Sequence, residues 1–453
     1  MANEQKTELT EFLKSGIYTF PNSKSTFIDP VRNLNHNYTQ FRVSPSSYYS
    51  RFFNPKSTID KLLQPQQEQL IGDDSNSGFH EKSTKRTRNQ NKNNKIKNKK
   101  QCIGLNQKEL LADQRHQEIR PLLVKAHEEL LQAKELLDVM CELNSEPEGW
   151  KRCIDSSSGE MKEEFSLVEL GKVWQAPLYE IALRFRQDSE DSEEKDSLTN
   201  RHDDQRVLSL FNNLIFNETN DDLVAEFMTS KYILPKNSSF YMSDLGRIHN
   251  LVPADADCGF NLIVVDPPWE NRSAYQKSAY LTLPNRYFLS IPIRKLTHTS
   301  GALVALWVTN REKLRNFVEN ELFPAWGVRY TATIYWLKVK SDGSLICDLD
   351  LFHHRTYECL LLGYCGKEDT DSEILSSKMA LKDDRVMISV PGDYSRKPPV
   401  RDLLLEYIPG PKPARCIELF AREMSAGWTS WGNEPLHFQE SRYFSQQNKK
   451  CSN

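Results

Sequence analysis

The stretch Leu262-Ile-Val-Val-Asp-Pro-Pro-Trp269 carries the strongest structural signal in this chain of 453 residues. Four consecutive aliphatic residues are typical of a strand that is buried on both faces. Two prolines then end the strand abruptly, because each fixes its own φ at roughly −65° and supplies no backbone N–H. The stretch therefore predicts a buried strand that stops at a rigid corner, with Asp266 at the start of that corner.

The corner has the groups needed to hold an amine whose lone pair is delocalised, such as the exocyclic amine of adenine. The Asp266 carboxylate and the Pro267 carbonyl can each accept one N–H, and the two prolines add no competing donor. The face of Trp269 is expected to stack on a purine, which is worth roughly 1–3 kcal/mol per base. An aspartate after an apolar strand also fits a Walker-B acid, but the chain contains no GxxxxGK[S/T] sequence.

The composition is that of a chain with a sizeable core, with 38% hydrophobic and 27% charged residues, and its length allows about two to three domains. The net charge of −3 does not predict nucleic-acid binding. Residues 82–100 hold nine basic side chains, whereas residues 188–196 hold six acidic ones. Both runs fit solvated linkers, and the basic run also fits a nuclear-localisation element or a phosphate-binding arm.

Cysteine and hydropathy patterns argue against several protein classes. The nine cysteines include no CxxC pair and have no clustered histidines, so neither a disulfide framework nor a structural zinc site is predicted. An odd cysteine count fits a reducing compartment. No apolar run reaches about 18 residues, and Glu4, Glu8 and Glu11 occupy the region where a leader would carry basic residues. We therefore expect neither a membrane span nor secretion.

The chain changes character near residue 230. Apolar residues recur at helical spacing between Leu110 and Met140, with a break expected at Pro121. Two further helices are expected at Phe165–Phe185 and Gln205–Met228. The predicted organisation is a polar, partly ordered segment at 1–80, a basic linker at 81–104, a mostly helical domain at 105–232 with an acidic loop at 187–200, a second domain at 233–440 and a flexible tail at 441–453.

The second domain alternates short apolar runs with helical stretches. The runs predict strands at Asn261–Val265, Ala302–Val308, Tyr330–Val339, Glu358–Cys365, Val386–Val390, Arg415–Phe420 and Trp428–Trp431. Helices are expected near Arg286–Leu296, Arg311–Phe323 and Pro398–Ile408. This alternation indicates an α/β fold with an open, largely parallel sheet and helices on both faces. Ligands of such sheets bind at the carboxyl ends of the strands, where Asp266 is expected.

Several segments in a fixed order resemble the DPPW-type adenine-N6 methyltransferases, also called the MT-A70-like family. They are Leu262–Trp269, Gly301–Asn310, Glu321–Gly327, Ser395–Pro398, and Ile417–Arg422 with Trp431–Asn433. The resemblance covers residues 235–438. The order of the segments and the helical N-terminal extension are most similar to the branch called methyltransferase-like four, whose members are single chains.

The resemblance implies an S-adenosylmethionine-dependent enzyme with a class I, Rossmann-like sheet and a permuted motif order. It implies catalytic roles for Asp266, Pro267, Pro268 and Trp269. The residues implied to bind the cofactor are Asp244, Leu245, Asp266, Lys397, Glu418, Phe420, Arg422, Asn433 and Glu434. Those implied to bind the substrate are Asn271, Arg272, Tyr275, His354 and Glu358, with Ser273 in the same acceptor loop. The segment Glu423–Gly427 is shorter than its counterpart in the family's mRNA enzyme.

The resemblance also implies direct displacement at the sulfonium methyl, which requires no metal because the sulfonium is already a good leaving group. The implied partner is RNA with a flexible or single-stranded adenosine, with an internal 2′-O-methyladenosine of U2 spliceosomal RNA as the target class and DNA as a second acceptor. We expect a monomer in the nucleus and also in the cytoplasm. Two alternatives stay open: a protein glutamine or amine N-methyltransferase, and a non-catalytic RNA-binding partner of an active enzyme.

Overall fold

The computed structural model describes residues 2–21, 23–50, 107–153, 182–185, 206–227, 230–270, 282–352, 355–378, 381, 383–393 and 396–447. Within these ranges, α-helices span Ala2–Ser15, Pro30–Leu34, Pro45–Tyr48, Gln107–Gln132, Lys134–Cys141, Ile293–Leu296, Glu312–Phe317, Phe323–Trp326, Asp369–Lys378 and Arg401–Leu404. A π-helical turn covers Val318–Leu322. Short 3₁₀ helices cover Asn35–Asn37, Leu245–Leu251, Ala256–Cys258, Asn285–Ser290, Leu405–Tyr407, His437–Gln439 and Ser441–Tyr443.

The strands are β1 Ile17–Thr19, β2 Ser25–Ile28, β3 Phe41–Val43, β4 Trp150–Arg152, β5 Ala182–Phe185, β6 Arg206–Ser209, β7 Leu214–Asn217, β8 Leu223–Phe227, β9 Ser230–Leu234, β10 Ser238–Met242, β11 Leu262–Val265, β12 Ala302–Val308, β13 Val328–Lys338, β14 Tyr357–Cys365, β15 Arg385–Ser389, β16 Cys416–Leu419, β17 Trp428–Gly432 and β18 Phe444–Gln447. Eleven of them form one sheet in the order β1-β2-β15-β13-β14-β12-β11-β16-β17-β10-β7. Two smaller sheets have the orders β3-β18-β4 and β6-β5-β8-β9.

The centre of the large sheet is parallel, whereas the sheet as a whole is mixed. Strands β12, β11, β16, β17 and β10 are neighbours and run parallel. Strand β14 runs antiparallel between β12 and β13, and β1 and β7 are antiparallel edge strands. The expectation of a largely parallel sheet is therefore right for the centre only. The reason is that β13 and β14 follow each other without a crossover helix, which makes the pair antiparallel.

Both faces of the central strands are buried, as their continuous apolar sequences predict. On one face, Val265 and Leu419 join a core that includes Leu123 and Leu130 from the helix Gln107–Gln132. On the other face, Val264 and Trp307 of the sheet share a core with Leu404 and Tyr407 from the helical segments that cover it. Burying each such side chain stabilises the fold by roughly 1.5–3 kcal/mol. A third core, which includes Ile215, Phe240 and Met242, joins the β10–β7 end of the large sheet to strands β6, β8 and β9 of the small sheet.

The N-terminal segment is part of the same sheet. Strand β2 pairs in parallel with β15 and in antiparallel fashion with β1. Phe12 and Phe27 are fully buried in the core described above. The helix Gln107–Gln132 continues through Pro121, and the break lies at Ala133, whose ψ of 71° is not helical. The break expected at Pro121 is therefore displaced by three turns.

The helix expected at Gln205–Met228 is wrong, because strands β6, β7 and β8 occupy that region. Burial alternates along β7, which is the period of a strand with one solvated face. Asn212 turns the chain between β6 and β7 with a φ of +56°, a conformation that asparagine tolerates. Ala182–Phe185, the end of the helix expected at Phe165–Phe185, is also a strand. The N-terminal region is therefore partly helical rather than mostly helical.

Several sequence features lie outside the described residues: the basic run 82–100, the acidic loop 187–200 and the remainder of the helix expected from Phe165. Phe444–Gln447, in the expected tail, forms β18 and pairs with β3 and β4. Among the residues that the model describes, no helix is both long and apolar enough to cross a bilayer.

Candidate active site

The site lies where four neighbouring parallel strands end. Asp266 follows β11, Phe420 follows β16, Asn433 follows β17 and Asp244 follows β10 by one residue. Backbone hydrogen bonds continue past the strand ends, from Asp266 N to Leu419 O at 3.1 Å and from Ser243 N to Gly432 O at 3.0 Å. Parallel strands present their carboxyl ends at one edge. The fold therefore brings together residues that are separated by up to 189 positions along the chain, from 244 to 433.

The corner Asp266-Pro-Pro-Trp269 is a tight turn with internal hydrogen bonds. The backbone N–H of Trp269 donates to Pro267 O at 2.8 Å, and the N–H of Leu283 donates to Pro268 O at 3.0 Å. The two prolines add no donor, as expected, but the backbone N–H of Trp269 occupies one acceptor position of the Pro267 carbonyl. A carbonyl oxygen has two lone pairs, so Pro267 retains one acceptor position.

Trp269 packs beneath the corner. Only 6% of its surface is exposed, and its indole N–H donates to Trp307 O at 2.8 Å. Its ring meets Phe288 edge-to-face, with ring centroids 5.0 Å apart. The structure therefore gives Trp269 a role in fixing the corner, and the expected stacking of its face on a purine is not supported.

An alternating series of charges runs from the corner to the neighbouring strands. Lys397 Nζ lies 3.1 Å from Asp266 Oδ1 and 3.5 Å from Glu358 Oε2. Lys338, at the end of β13, forms a very short contact with the other carboxylate oxygen of Glu358. Burial opposes ionisation of Glu358, but the two ammonium groups outweigh it and lower the pKa of Glu358 to about 2. Burial lowers the pKa of Lys397, but the carboxylates of Asp266 and Glu358 outweigh it, so the net shift is upward.

Glu418 lies on the same face as Asp266. Val264 and Glu418 are register partners in β11 and β16, and side chains two residues apart in a strand share a face. Burial, followed by the negative charges of Asp266 and Glu423, raises the pKa of Glu418 to about 8. Arg396 grips Glu423 with two guanidinium nitrogens, with Nε at 2.9 Å from Oε2. The cleft is thus lined by three acids, which are Asp266, Glu418 and Glu423, and by four cations, which are Arg396, Lys397, Arg401 and Arg422.

The turn after β16 is held in an unusual backbone conformation. Phe420 has a φ of +62°, which costs a non-glycine residue roughly 1–2 kcal/mol. Its ring meets Phe288 and Trp431 edge-to-face at centroid distances of 5.4 Å and 5.1 Å. A Cβ on Gly432 would lie 3.2 Å from the Phe420 Cα, so the glycine allows the two backbone segments to approach closely.

The segment after this turn is bound by residues distant in sequence. Asn37 accepts a hydrogen bond from Ala426 N at 3.1 Å, and Gln439 accepts one from Met424 N at 3.0 Å. Buried Arg396 lies over the ring of Tyr48 at 4.4 Å. These contacts could not be predicted from the sequence, because the partners lie in the N-terminal segment and after the last predicted strand.

Asp244 and Asn433 are exposed, whereas Leu245 and Glu434 are half-buried. Asp244 occupies the cap position of the 3₁₀ helix Leu245–Leu251, yet its side chain makes no capping hydrogen bond. Helix capping therefore does not explain this acid. Its exposed carboxylate at the shared edge could accept hydrogen bonds from a ligand.

Comparison with known proteins identifies the family of this chain. A family model described as MT-A70 matches residues 260–434. N(6)-adenine-specific methyltransferase METTL4 of Mus musculus is 35% identical over 357 residues, which covers 77% of this chain and 71% of that protein. The chain belongs to the MT-A70 family of adenine-N6 methyltransferases.

Two other MT-A70 relatives match over a shorter stretch. N6-methyladenosine RNA methyltransferase MTA1 of Pyricularia oryzae is 34% identical over 219 residues, 46% of this chain and 56% of that protein. DNA N6-methyl methyltransferase of Caenorhabditis elegans is 34% identical over 218 residues, 48% of this chain and 56% of that protein. Methyltransferases of the MT-A70 family use S-adenosylmethionine.

Some predicted MT-A70 site residues lie outside the described residues. They are Asn271, Arg272, Ser273, Tyr275 and His354. Conversely, sequence reasoning missed Lys338, Phe288, Arg396 and Glu423. Lys338 could have been proposed as a site residue, because it is a charged residue at the carboxyl end of a predicted strand. No sequence feature of Phe288 indicated a role in the site, since a buried aromatic residue in a helical stretch normally belongs to the core. Within the described ranges, no cluster of His, Cys, Asp and Glu could hold a metal ion.

Proposed function

We propose that this protein transfers a methyl group from S-adenosylmethionine to N6 of adenine in nucleic acid, with RNA as the main acceptor. The observation that carries the proposal is the position of Asp266, which an ion pair with Lys397 fixes at the strand edge that also ends in Phe420 and Asn433. The corner meets the demand of the chemistry, which is to hold an unreactive amine in place rather than to remove a proton from it.

The proposed fold assignment is a class I, Rossmann-like methyltransferase sheet with a permuted motif order. The acceptor corner on β11 precedes β16 in the chain, although the two strands are neighbours in the sheet. The proposed cofactor site is built from Asp244, Leu245, Lys397, Glu418, Phe420, Arg422, Asn433 and Glu434. Two observations support the fit of a nucleoside-containing cofactor. The backbone segments approach closely at Gly432, and the Asp244 carboxylate is not used in a capping hydrogen bond.

When bound, the cofactor supplies an electrophilic methyl group on a sulfonium. The residues of this chain orient the acceptor. The Asp266 carboxylate and the second lone pair of Pro267 O each accept one N–H of the adenine amine, which directs the nitrogen lone pair away from the corner. Lys397 prevents rotation of the carboxylate by binding Oδ1 at 3.1 Å. Positioning of this kind supplies most of the rate. A strong base is not needed, because the N6 proton is lost readily once the nitrogen is alkylated.

RNA is the proposed acceptor because adenine must leave a base stack to reach a recessed corner, which is least costly in flexible or single-stranded nucleic acid. Relatives named for RNA and for DNA methylation both match this chain, so DNA is the second acceptor. Within RNA we propose the internal 2′-O-methyladenosine of U2 spliceosomal RNA as the target class. We further propose a monomer that works in the nucleus and also in the cytoplasm.

To test the proposal, the purified protein is incubated with radiolabelled cofactor and equal pools of RNA, DNA and protein, and the label in each pool is measured. Label in RNA, located at N6 of adenine, is the expected result. Label only in protein would replace the proposal with a glutamine or amine N-methyltransferase. No label in any pool, with RNA bound, would favour a non-catalytic RNA-binding partner.

Asp266→Ala should reduce methyl transfer by at least about 100-fold, the loss seen when one preorganised group is removed from a transition-state site. The matched control is Asp383→Ala, which removes an exposed acid paired with Lys24 and should leave the rate unchanged. Both variants should unfold at nearly the wild-type temperature. A folded Asp266→Ala variant with wild-type turnover would contradict the assignment.

A further inference from the structure

The helix Gln107–Gln132 lies outside the segment matched by the MT-A70 model, yet it contacts the connection between β13 and β14, residues 339–356. His127 Nε2 lies 2.9 Å from Gly343 O near the start of this connection. Arg355, near its end, donates to Asp113 at 3.3 Å. The helix therefore holds both ends of the connection.

The centre of the contact is Asp350. Arg120 donates to both carboxylate oxygens, with Nε at 2.8 Å and Nη2 at 2.9 Å. His116 Nε2 lies 3.0 Å from the same Oδ1. These partners hold the pKa of Asp350 well below its usual value. A carboxylate bound by a guanidinium fork is geometrically fixed, so Asp350 anchors the connection to the helix.

His116 links this anchor to the active site. It is 1% exposed, and its Nδ1 lies 3.2 Å from the hydroxyl of Tyr357. The two rings are stacked, with centroids 5.9 Å apart and planes at 10°. Burial lowers the pKa of His116. A side chain enclosed in this way has little freedom to move independently of its partners.

Tyr357 immediately precedes Glu358, the acid that Lys397 joins to Asp266. The Tyr357 carbonyl also accepts a very short hydrogen bond from Asn310, which follows β12. The position of Glu358 therefore depends on Tyr357, which is packed against His116 of the helix. A continuous series of contacts leads from Asp350 to the acceptor corner.

We propose that the helix Gln107–Gln132 positions the acceptor side of the active site, with Asp350 and His116 as positioning residues that act through Tyr357 on Glu358. This inference rests on the proposed function for the identity of the acceptor. The helix contacts described above reach the proposed cofactor site only through Lys397, which Glu358 contacts at 3.5 Å. The cofactor residues after β10, β16 and β17 lie on other strands. Weakening the anchor therefore raises the KM for the acceptor and leaves cofactor affinity nearly unchanged.

The test compares full-length wild type with Asp350→Asn and with His116→Gln. Each variant should raise the KM for an adenosine-containing oligoribonucleotide by about tenfold, as expected for the loss of a charged or buried hydrogen bond. The dissociation constant for S-adenosylmethionine, measured by calorimetry, should not change. The matched control is Glu373→Gln, which breaks the exposed Arg329–Glu373 pair and should change neither constant.

A charge exchange provides the second readout. Asp350→Arg combined with Arg120→Asp should restore a lower acceptor KM than either single variant, because the pair re-forms in the opposite sense. An unchanged acceptor KM in Asp350→Asn would overturn the proposal. So would parallel losses of cofactor affinity and thermal stability, since these would indicate a general structural role.

Failure of the proposed function has a different signature. In that case wild type itself methylates no nucleic acid, whereas the helix contact is still measurable by hydrogen exchange. Asp350→Asn should accelerate amide exchange in residues 343–352 and at Tyr357 relative to wild type. Unchanged exchange there would overturn the positioning role whatever the acceptor is.

Discussion

At the residue scale, the site is a set of charges that determine one another's ionisation. Lys397 is shared by Asp266 and Glu358, and both acids lose a partner if it is removed. Glu418 differs from Glu358, because burial and the charges of Asp266 and Glu423 raise its pKa to about 8. At neutral pH the folded protein therefore keeps a proton on Glu418 while Glu358 is ionised.

The raised pKa predicts how stability depends on pH. In the unfolded chain Glu418 loses its proton near its ordinary value of 4.5, whereas the folded protein keeps it to about 8. The contribution of Glu418 is therefore fully present below pH 4.5 and is lost as pH rises to about 8. Glu418→Gln cannot ionise, so its stability relative to wild type should increase across this window.

Urea unfolding at several pH values between about 5 and 9 measures this difference. Glu373→Gln, at an exposed ion pair, is the control and should show a difference from wild type that does not grow with pH over this range. A constant offset between Glu418→Gln and wild type would show that Glu418 has no raised pKa in the folded protein.

At the element scale, the strand ends determine the site. Strands β11 and β12 match their predicted positions, because all four residues of β11 and all seven residues of β12 are buried. The turn after β16 was predicted to contact the cofactor, but the left-handed backbone conformation of Phe420 was not predicted. Phe420 adopts this conformation because packing between Phe288 and Trp431 compensates for the backbone strain.

Two substitutions separate packing from strain at this turn. Phe420→Ala removes the ring contacts and keeps the strain, so it should destabilise the protein by roughly 3 kcal/mol. Phe420→Gly loses the same contacts but relieves the strain, so it should be roughly 1 kcal/mol more stable than Phe420→Ala. Denaturant unfolding of both variants measures the difference. A glycine variant less stable than the alanine variant would show that the turn is not strained in solution.

At the scale of the whole molecule, chain segments far apart in sequence share one site. Asn37 holds Ala426 of the segment after the cofactor turn, and the helix Gln107–Gln132 holds the connection that leads to Glu358. Strand β2 extends the sheet at β15. The N-terminal segment and the MT-A70 region therefore stabilise each other, and the site depends on both.

The basic run 82–100 is proposed to serve nuclear localisation or phosphate binding. Replacing it with a Gly-Ser linker of equal length should lower RNA affinity and reduce the steepness with which affinity falls with salt, because fewer counterions are released. Nuclear accumulation of a fluorescent fusion should fall as well. Replacing the acidic run 188–196 in the same way is the control. Unchanged salt dependence and unchanged distribution would leave the run as a simple linker.

The central strands, the α/β class and the corner at Asp266 were predictable from the sequence, because they depend on local hydrophobic runs and on the geometry of proline. The sequence also placed Asp244, Lys397, Glu358 and Asn433 as candidates through the family resemblance. The strands β6–β8 were not predicted, because their apolar runs of four or five residues are too short to distinguish a strand from a helix. Local periodicity is ambiguous over four or five residues.

Which side chains contact one another could be learned only from the folded structure. Trp269 is buried under the corner, with its indole N–H bonded to Trp307 O. Lys338 lies against Glu358 because sheet order brings β13 and β14 together. The anchoring of Asp350 by a helix more than 200 residues away was likewise undetectable in the sequence. Contacts of this kind depend on packing between elements, which no local pattern encodes. The Asp266 corner was legible in the sequence, and its surroundings were settled by the fold.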